Sequence, residues 1–130
     1  MDDHAIDLRI FRLISHVLND LAHDWTVAEM TADFDLSIPH LRKLFRHEIG
    51  LPPMIWLHDQ RLDKFAELLL NTYHPIKVIG VKVGLTNQTH LTRDFKIKFG
   101  FTPTGYRKHH AAIEQLQVQL DKSKLKNGQE

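Results

Sequence analysis

Cysteine is absent from the 130 residues, which excludes a disulfide framework, a thiol nucleophile and cysteine-ligated zinc, and fits a reducing compartment. No apolar run approaches the ~20 residues a bilayer-spanning helix requires, so no membrane association is expected. The acidic opening Met1-Asp2-Asp3 is unlike a secretory signal. Strong charge of either sign is also missing: 17 Lys and Arg against 16 Asp and Glu leave a formal charge of +1. A surface for a polyanion must therefore come from where the cations are placed, not from their total. The ten histidines are scattered, and His47-Glu48 lacks the second histidine four residues after the first that a zinc protease needs. Neither a glycine-rich phosphate loop nor a nucleophile elbow is present. These absences leave no basis for an enzyme, a metal or a cofactor, and they predict a cytoplasmic protein.

The most informative stretch runs from Ile79 to Arg107. An apolar helix is expected to stop at Gly84, which accepts the left-handed backbone of a helix C-terminus, and a second to start at once from Thr86 or Asn87. Two helices joined by so tight a turn make a helix-turn-helix. On a helical period Leu91, Phe95 and Phe99 form an apolar back, with Thr89, Thr92, Arg93 and Lys96 on the other side. Hydroxyls and cations of this kind donate to base edges and phosphate oxygens. A plain solvated face is the usual meaning of one such stripe, but here a tight turn precedes it and a second copy lies upstream.

That copy emerges when the chain is laid over itself at an offset of fifty positions. Leu41, Phe45, Ile49 and Gly50 stand where Leu91, Phe95, Phe99 and Gly100 stand, and Lys43 and Arg46 match Arg93 and Lys96. Apolar back and basic front repeat together, which means two small units rather than a solenoid. The turn Phe34-Asp35-Leu36-Ser37 is one residue out of register with Val83-Gly84-Leu85-Thr86, so the two turns are related but not identical.

From about Thr26 to Arg107 the chain resembles the AraC/XylS-type transcription regulators. The resemblance is carried by Ser37 to Gly50, Arg61-Leu62, Ile79 to Gly84, Leu91-Thr92-Arg93-Asp94-Phe95, and above all the closing run Gly100-Phe101-Thr102-Pro103-Thr104-Gly105-Tyr106-Arg107. Departures from the family pattern are Thr31, Phe65 and Gly80 where Ala is usual, Asp35 where Gly is usual, and Leu85 and Leu91 where aromatics are common. The resemblance implies an all-α fold of two helix-turn-helix subdomains joined by a long linker helix. It also implies sequence-specific binding of double-stranded DNA, and a transcription activator that touches RNA polymerase.

The expected organisation is an N-terminal helix and first helix-turn-helix over 1–52, a linker helix over 53–71, a second helix-turn-helix over 72–110, and an extension over 111–130. The first helix is predicted from about Ile6 to Ala22 as a packing helix, with Thr26-Val27-Ala28-Glu29 as a capping box after it. Ser37 can cap the first recognition helix, with Pro39 in its opening turn. Pro52-Pro53 enforce a break before the linker helix, predicted from about Met54 to Leu70 with Ile55, Leu62, Phe65, Ala66 and Leu69 inward. About 17 helical residues span about 25 Å, and B-DNA presents the same face every ~34 Å, so two recognition helices so separated suit successive major grooves. A monomer reading a site without two-fold symmetry follows. Ile113, Leu116 and Leu120 make a weak amphipathic helix in the extension, and the polar end from Asp121 is expected to fray. The chain has no room for the effector-binding domain many family members carry upstream; starting at Met1, it is expected to be a short stand-alone regulator.

Lys43 and Arg93, equivalent on the two fronts, are the prime candidates for base contacts. Arg42 suits either a base edge or a phosphate. Thr89 and Thr92 suit hydroxyl or thymine-methyl contacts, Gln88 an adenine, and Pro39 only apolar contact, which predicts weaker discrimination by the first unit. Arg46 and Lys96, further along each helix, are expected on phosphates. Trp56 and Tyr106, six residues beyond Gly50 and Gly100, are expected as core wedges, and Arg61 as an internal ion pair or helix-end contact. The competing reading is a helical protein-interaction module of the same fold that does not bind DNA.

Overall fold

The computed structural model describes residues 7–127. Among them are seven helices and no strand: α1 (Leu8–Leu18), α2 (Val27–Ala32), α3 (Ile38–Glu48), α4 (Pro53–Asn71), α5 (Ile76–Val83), α6 (Gln88–Phe99) and α7 (Pro103–Asn127). They fall into two compact units. One holds the described residues through Lys64 together with Val81–Leu85; the other holds Phe65–Gly80 and the described residues from Thr86 on.

In the first unit, Ile10, Leu13 and Val17 of α1 lie on one face of the helix and pack with Met30, Phe45 and Leu57. Each fully buried side chain of this size stabilises by about 1.5–3 kcal/mol. The Phe45 and Trp56 rings meet edge to face, 5.5 Å between centroids, so Trp56 is a core wedge as the sequence predicts. In the second unit Phe95 is the hub: Phe65, Phe99 and Tyr106 surround it at 5.6, 4.6 and 5.2 Å. The unusual Phe65 thus fills the core, and Thr31, buried in α2, satisfies its hydroxyl by donating to the Ala28 carbonyl at 2.8 Å.

Three expectations need correction. α1 ends at Leu18 rather than Ala22, because Asn19 caps it and the Trp25 indole N–H takes the Asp20 carbonyl at 2.8 Å, pulling the chain into a turn; its expected start at Ile6 lies outside the described residues. Ile55 is 57% exposed, not inward. At about 100° per residue it shares a stripe with Leu62, Phe65 and Leu69, but the first turns of α4 bury a different stripe, that of Trp56 and Leu57. Finally, the fraying expected from Asp121 does not occur over the described residues: α7 continues unbroken through Asn127. No Gly or Pro follows Gly105 before Gly128, and the run is rich in Ala, Leu, Gln and Lys, so propensity sustains a helix whose side chains from Ala111 to Lys126 are exposed. Among the described residues no helix is long and apolar enough to cross a membrane.

Candidate nucleic-acid interface

The two helix pairs turn by different chemistry, one residue out of register with each other. Between α5 and α6 the turn uses Gly84 at φ +84°, where an added Cβ would lie 3.0 Å from the Arg61 guanidinium and 3.2 Å from the Ala22 backbone. Between α2 and α3 it uses Asp35 at φ +53°, and among the described residues Asp35 alone takes positive φ without being glycine. Arg9 supports that turn: its Nη1 donates to the Asp35 carbonyl at 3.3 Å while Nη2 pairs with Asp7 at 2.8 Å. The Arg9 hydrogen bonds, chiefly, hold the Asp7 carboxyl down at about 2, with a smaller contribution from the nearby charge of His40.

Each second helix is then started by a polar side chain. Ser37 Oγ accepts the His40 N–H at 3.2 Å, and Asn87 Oδ1 accepts the His90 N–H at 3.0 Å. On α3, Leu41 and Phe45 are buried, which leaves Pro39, His40, Arg42, Lys43, Arg46 and His47 in solvent. A shallow cleft on this face is lined by His40, Lys43, Leu44, Arg46 and His47, four basic side chains around one aliphatic floor. On α6, Leu91 and Phe95 are buried and Gln88, Thr89, His90, Thr92, Arg93 and Lys96 are exposed. Arg93 is 62% exposed, and its Nε donates to the Asp94 carboxylate at 3.1 Å. That contact uses one edge of the guanidinium and leaves both Nη groups to donate outward.

Every base- or phosphate-contact candidate named from the sequence is therefore exposed, those of α3 together on one helix and those of α6 on the other. Arg42 and Thr92 sit at the edge of each front, beside the buried stripe, because they follow Leu41 and Leu91 by one residue. Lys43 and Arg93 lie nearer its centre. Sequence reasoning missed His40 and His90, which are exposed on the two fronts and separated by the same fifty positions as Lys43 and Arg93. The offset that exposed the repeat contained this signal too.

Each unit is also locked by an arginine. Arg61 Nε and Nη2 donate to the carbonyls of Leu21 and His23 at 2.9 and 2.7 Å, and burial lowers its pKa. Arg107 does the same to Leu69 and Thr72 at 2.9 and 3.2 Å. Both bind the free carbonyls of a chain segment leaving a helix, so Arg61 is the helix-end contact expected of it. Among the described residues no group of three or more His, Asp or Glu side chains is placed to hold a metal ion.

Tight-turned helix pairs whose second helices are anchored behind and cationic in front define a helix-turn-helix DNA-binding domain. A family model described as a helix-turn-helix domain matches residues 30–109. The chain is 30% identical over 102 residues to the HTH-type transcriptional regulator MtrA of Neisseria gonorrhoeae, covering 78% of this chain and 34% of that protein. It is 30% identical over 103 residues to the arabinose operon regulatory protein of Escherichia coli, covering 78% and 35%. The C-terminal domain of AraT, a response regulator from Geobacillus stearothermophilus, superposes with a TM-score of 0.73 at 27% identity, over 80% of this chain and 87% of that one. The DNA-binding domain of AdpA, solved with a target DNA, shares the fold at a TM-score of 0.76 and 22% identity, over 80% and 94%. The chain belongs to the AraC/XylS-type helix-turn-helix family. It spans about a third of the length of the curated relatives it matches.

Proposed function

We propose that this chain regulates transcription, as an activator, by laying α3 and α6 into successive major grooves of duplex DNA. One observation carries the reading: the same fifty-residue offset relates the buried anchors Leu41 and Phe45 to Leu91 and Phe95, and the exposed cations Lys43 and Arg46 to Arg93 and Lys96. Lys43 and Arg93 read base edges, helped by Pro39, Arg42, Gln88, Thr89 and Thr92, while Arg46 and Lys96 hold phosphates and set position. The division into a first motif over 1–52, a linker over 53–71 and a second motif over 72–110 follows the same repeat. Relatives named as transcriptional regulators and a transcriptional activator support the regulatory role; a monomer acting in the cytoplasm and touching RNA polymerase completes the proposal.

The test is to select bound duplexes from a random pool and then titrate salt. Log K for the selected site should fall with log salt by about 0.9 per phosphate neutralised, and scrambled duplexes should bind more weakly. Absence of salt-dependent DNA binding would replace the proposal with a protein-interaction module of this fold.

A further inference from the structure

The matched pair His40 and His90 is unexplained by the reading above. Each is the third residue of its recognition helix, each backbone N–H is taken by the capping side chain, and each ring is exposed. Among the described residues neither ring takes part in a hydrogen bond or ion pair with another element. On a helical wheel each flanks the central cation, His40 beside Lys43 and His90 beside Arg93. The opening residues of a recognition helix are the ones that reach furthest into the groove.

We infer that His40 and His90 are DNA contacts that bind as imidazolium, so that this protein takes up protons when it binds DNA and binds more tightly as the pH falls. The inference rests on the proposed interface, because it requires the fronts of α3 and α6 to face the duplex. Neutral imidazole offers one N–H donor; imidazolium offers two, and a positive charge against the phosphates. The polyanion favours the charged form, so the complex holds more protons than the free protein. By linkage the association constant then rises wherever added protons occupy the complex before the free chain.

The surroundings of the two rings differ. His40 shares its cleft with Lys43, Arg46 and His47, and its charge is felt by Asp7 at the start of α1, which Arg9 holds. Lys43 and Arg46 are the fixed cations of that cleft, and His47 in it pairs with the Glu48 carboxylate at 3.2 Å. On the helix of His90, Arg93 pairs with Asp94.

The experiment measures affinity for the selected duplex at pH 6.0 and 8.0, at fixed salt, using the full chain and confirming folding at both pH values by circular dichroism. The expected result is on the order of tenfold tighter binding at pH 6.0. His40→Gln and His90→Gln should each reduce that ratio, and the double variant should bring it close to one. His109→Gln, on α7 and stacked on Phe101, serves as a control that should keep the full ratio. Equal affinity of the unaltered chain at the two pH values overturns the inference, as does a double variant that keeps the ratio. Salt-dependent binding at pH 8.0 separates these outcomes from failure of the interface itself, since a chain that binds DNA at neither pH overturns both.

Discussion

In the proposed interface, Arg93 is a side chain oriented before any base contact is made. Its Nε donates to Asp94 at 3.1 Å, which favours one orientation of the guanidinium, and the proposed contact is of its two Nη groups with a guanine edge. Arg93→Ala should cost roughly 1–3 kcal/mol of binding and relax preference at one base pair. Lys96 has no such orientation to lose: Lys96→Ala should weaken binding to all sequences evenly and lower the salt slope by about one. Binding measured on a panel of single-base variants separates the two, and even weakening by Arg93→Ala would reassign that residue to phosphate. The candidates at this scale were legible because exposure on a helix follows from spacing. The Asp94 contact was not, since a sequence shows neighbours without showing which way they point.

At the scale of the element, two glycines that follow helices, Gly84 after α5 and Gly50 after α3, are unequally tolerant of a side chain. Gly84 and Gly50 share a backbone near φ +85°, but a Cβ at Gly84 meets the Arg61 guanidinium and Ala22, while at Gly50 it meets nothing within 4 Å. Both alanine substitutions incur the left-handed backbone penalty of about 1 kcal/mol. Gly84→Ala should destabilise further because Arg61 must shift, and Arg61 holds the Leu21 and His23 carbonyls. Urea unfolding of the two variants side by side checks this; equal midpoints would mean that Arg61 moves at no cost. The glycine at the C-terminus of α5 was readable as a stop. What crowds it, a guanidinium from 23 positions earlier in the chain, was not.

The whole chain's stability should fall at both ends of the pH range, for opposite reasons in the first unit. The folded-state pKa of Asp7 is depressed to about 2 by Arg9. Its contribution is therefore present above the ordinary carboxylate range near 4 and is lost as pH falls from there through 2. His23 is the mirror case: its pKa is raised, chiefly by its hydrogen bond to Glu29. That contribution is complete below the ordinary imidazole range and is lost as pH rises through the elevated value. Thermal melts should show Asp7→Asn flattening the acid limb and His23→Gln the alkaline one. If either variant keeps the slope of the unaltered chain, that ion pair does not form in solution.

Helix content, the repeat and the two basic fronts were determined by the amino-acid sequence itself, because capping, periodicity and propensity act within a turn or two of helix. The same local rule carries α7 to Asn127: the residues from Asp121 are polar, which predicts fraying, yet none of them breaks a helix before Gly128. Tertiary structure alone decided which stripe of α4 is buried in its first turns, leaving Ile55 in solvent and Trp56 inside. It also decided that Arg61 and Arg107 close their units on carbonyls 40 and 38 positions away. Those choices depend on which surfaces meet after the helices have formed, and no local spacing encodes a partner that the folded chain brings close from so far along its length.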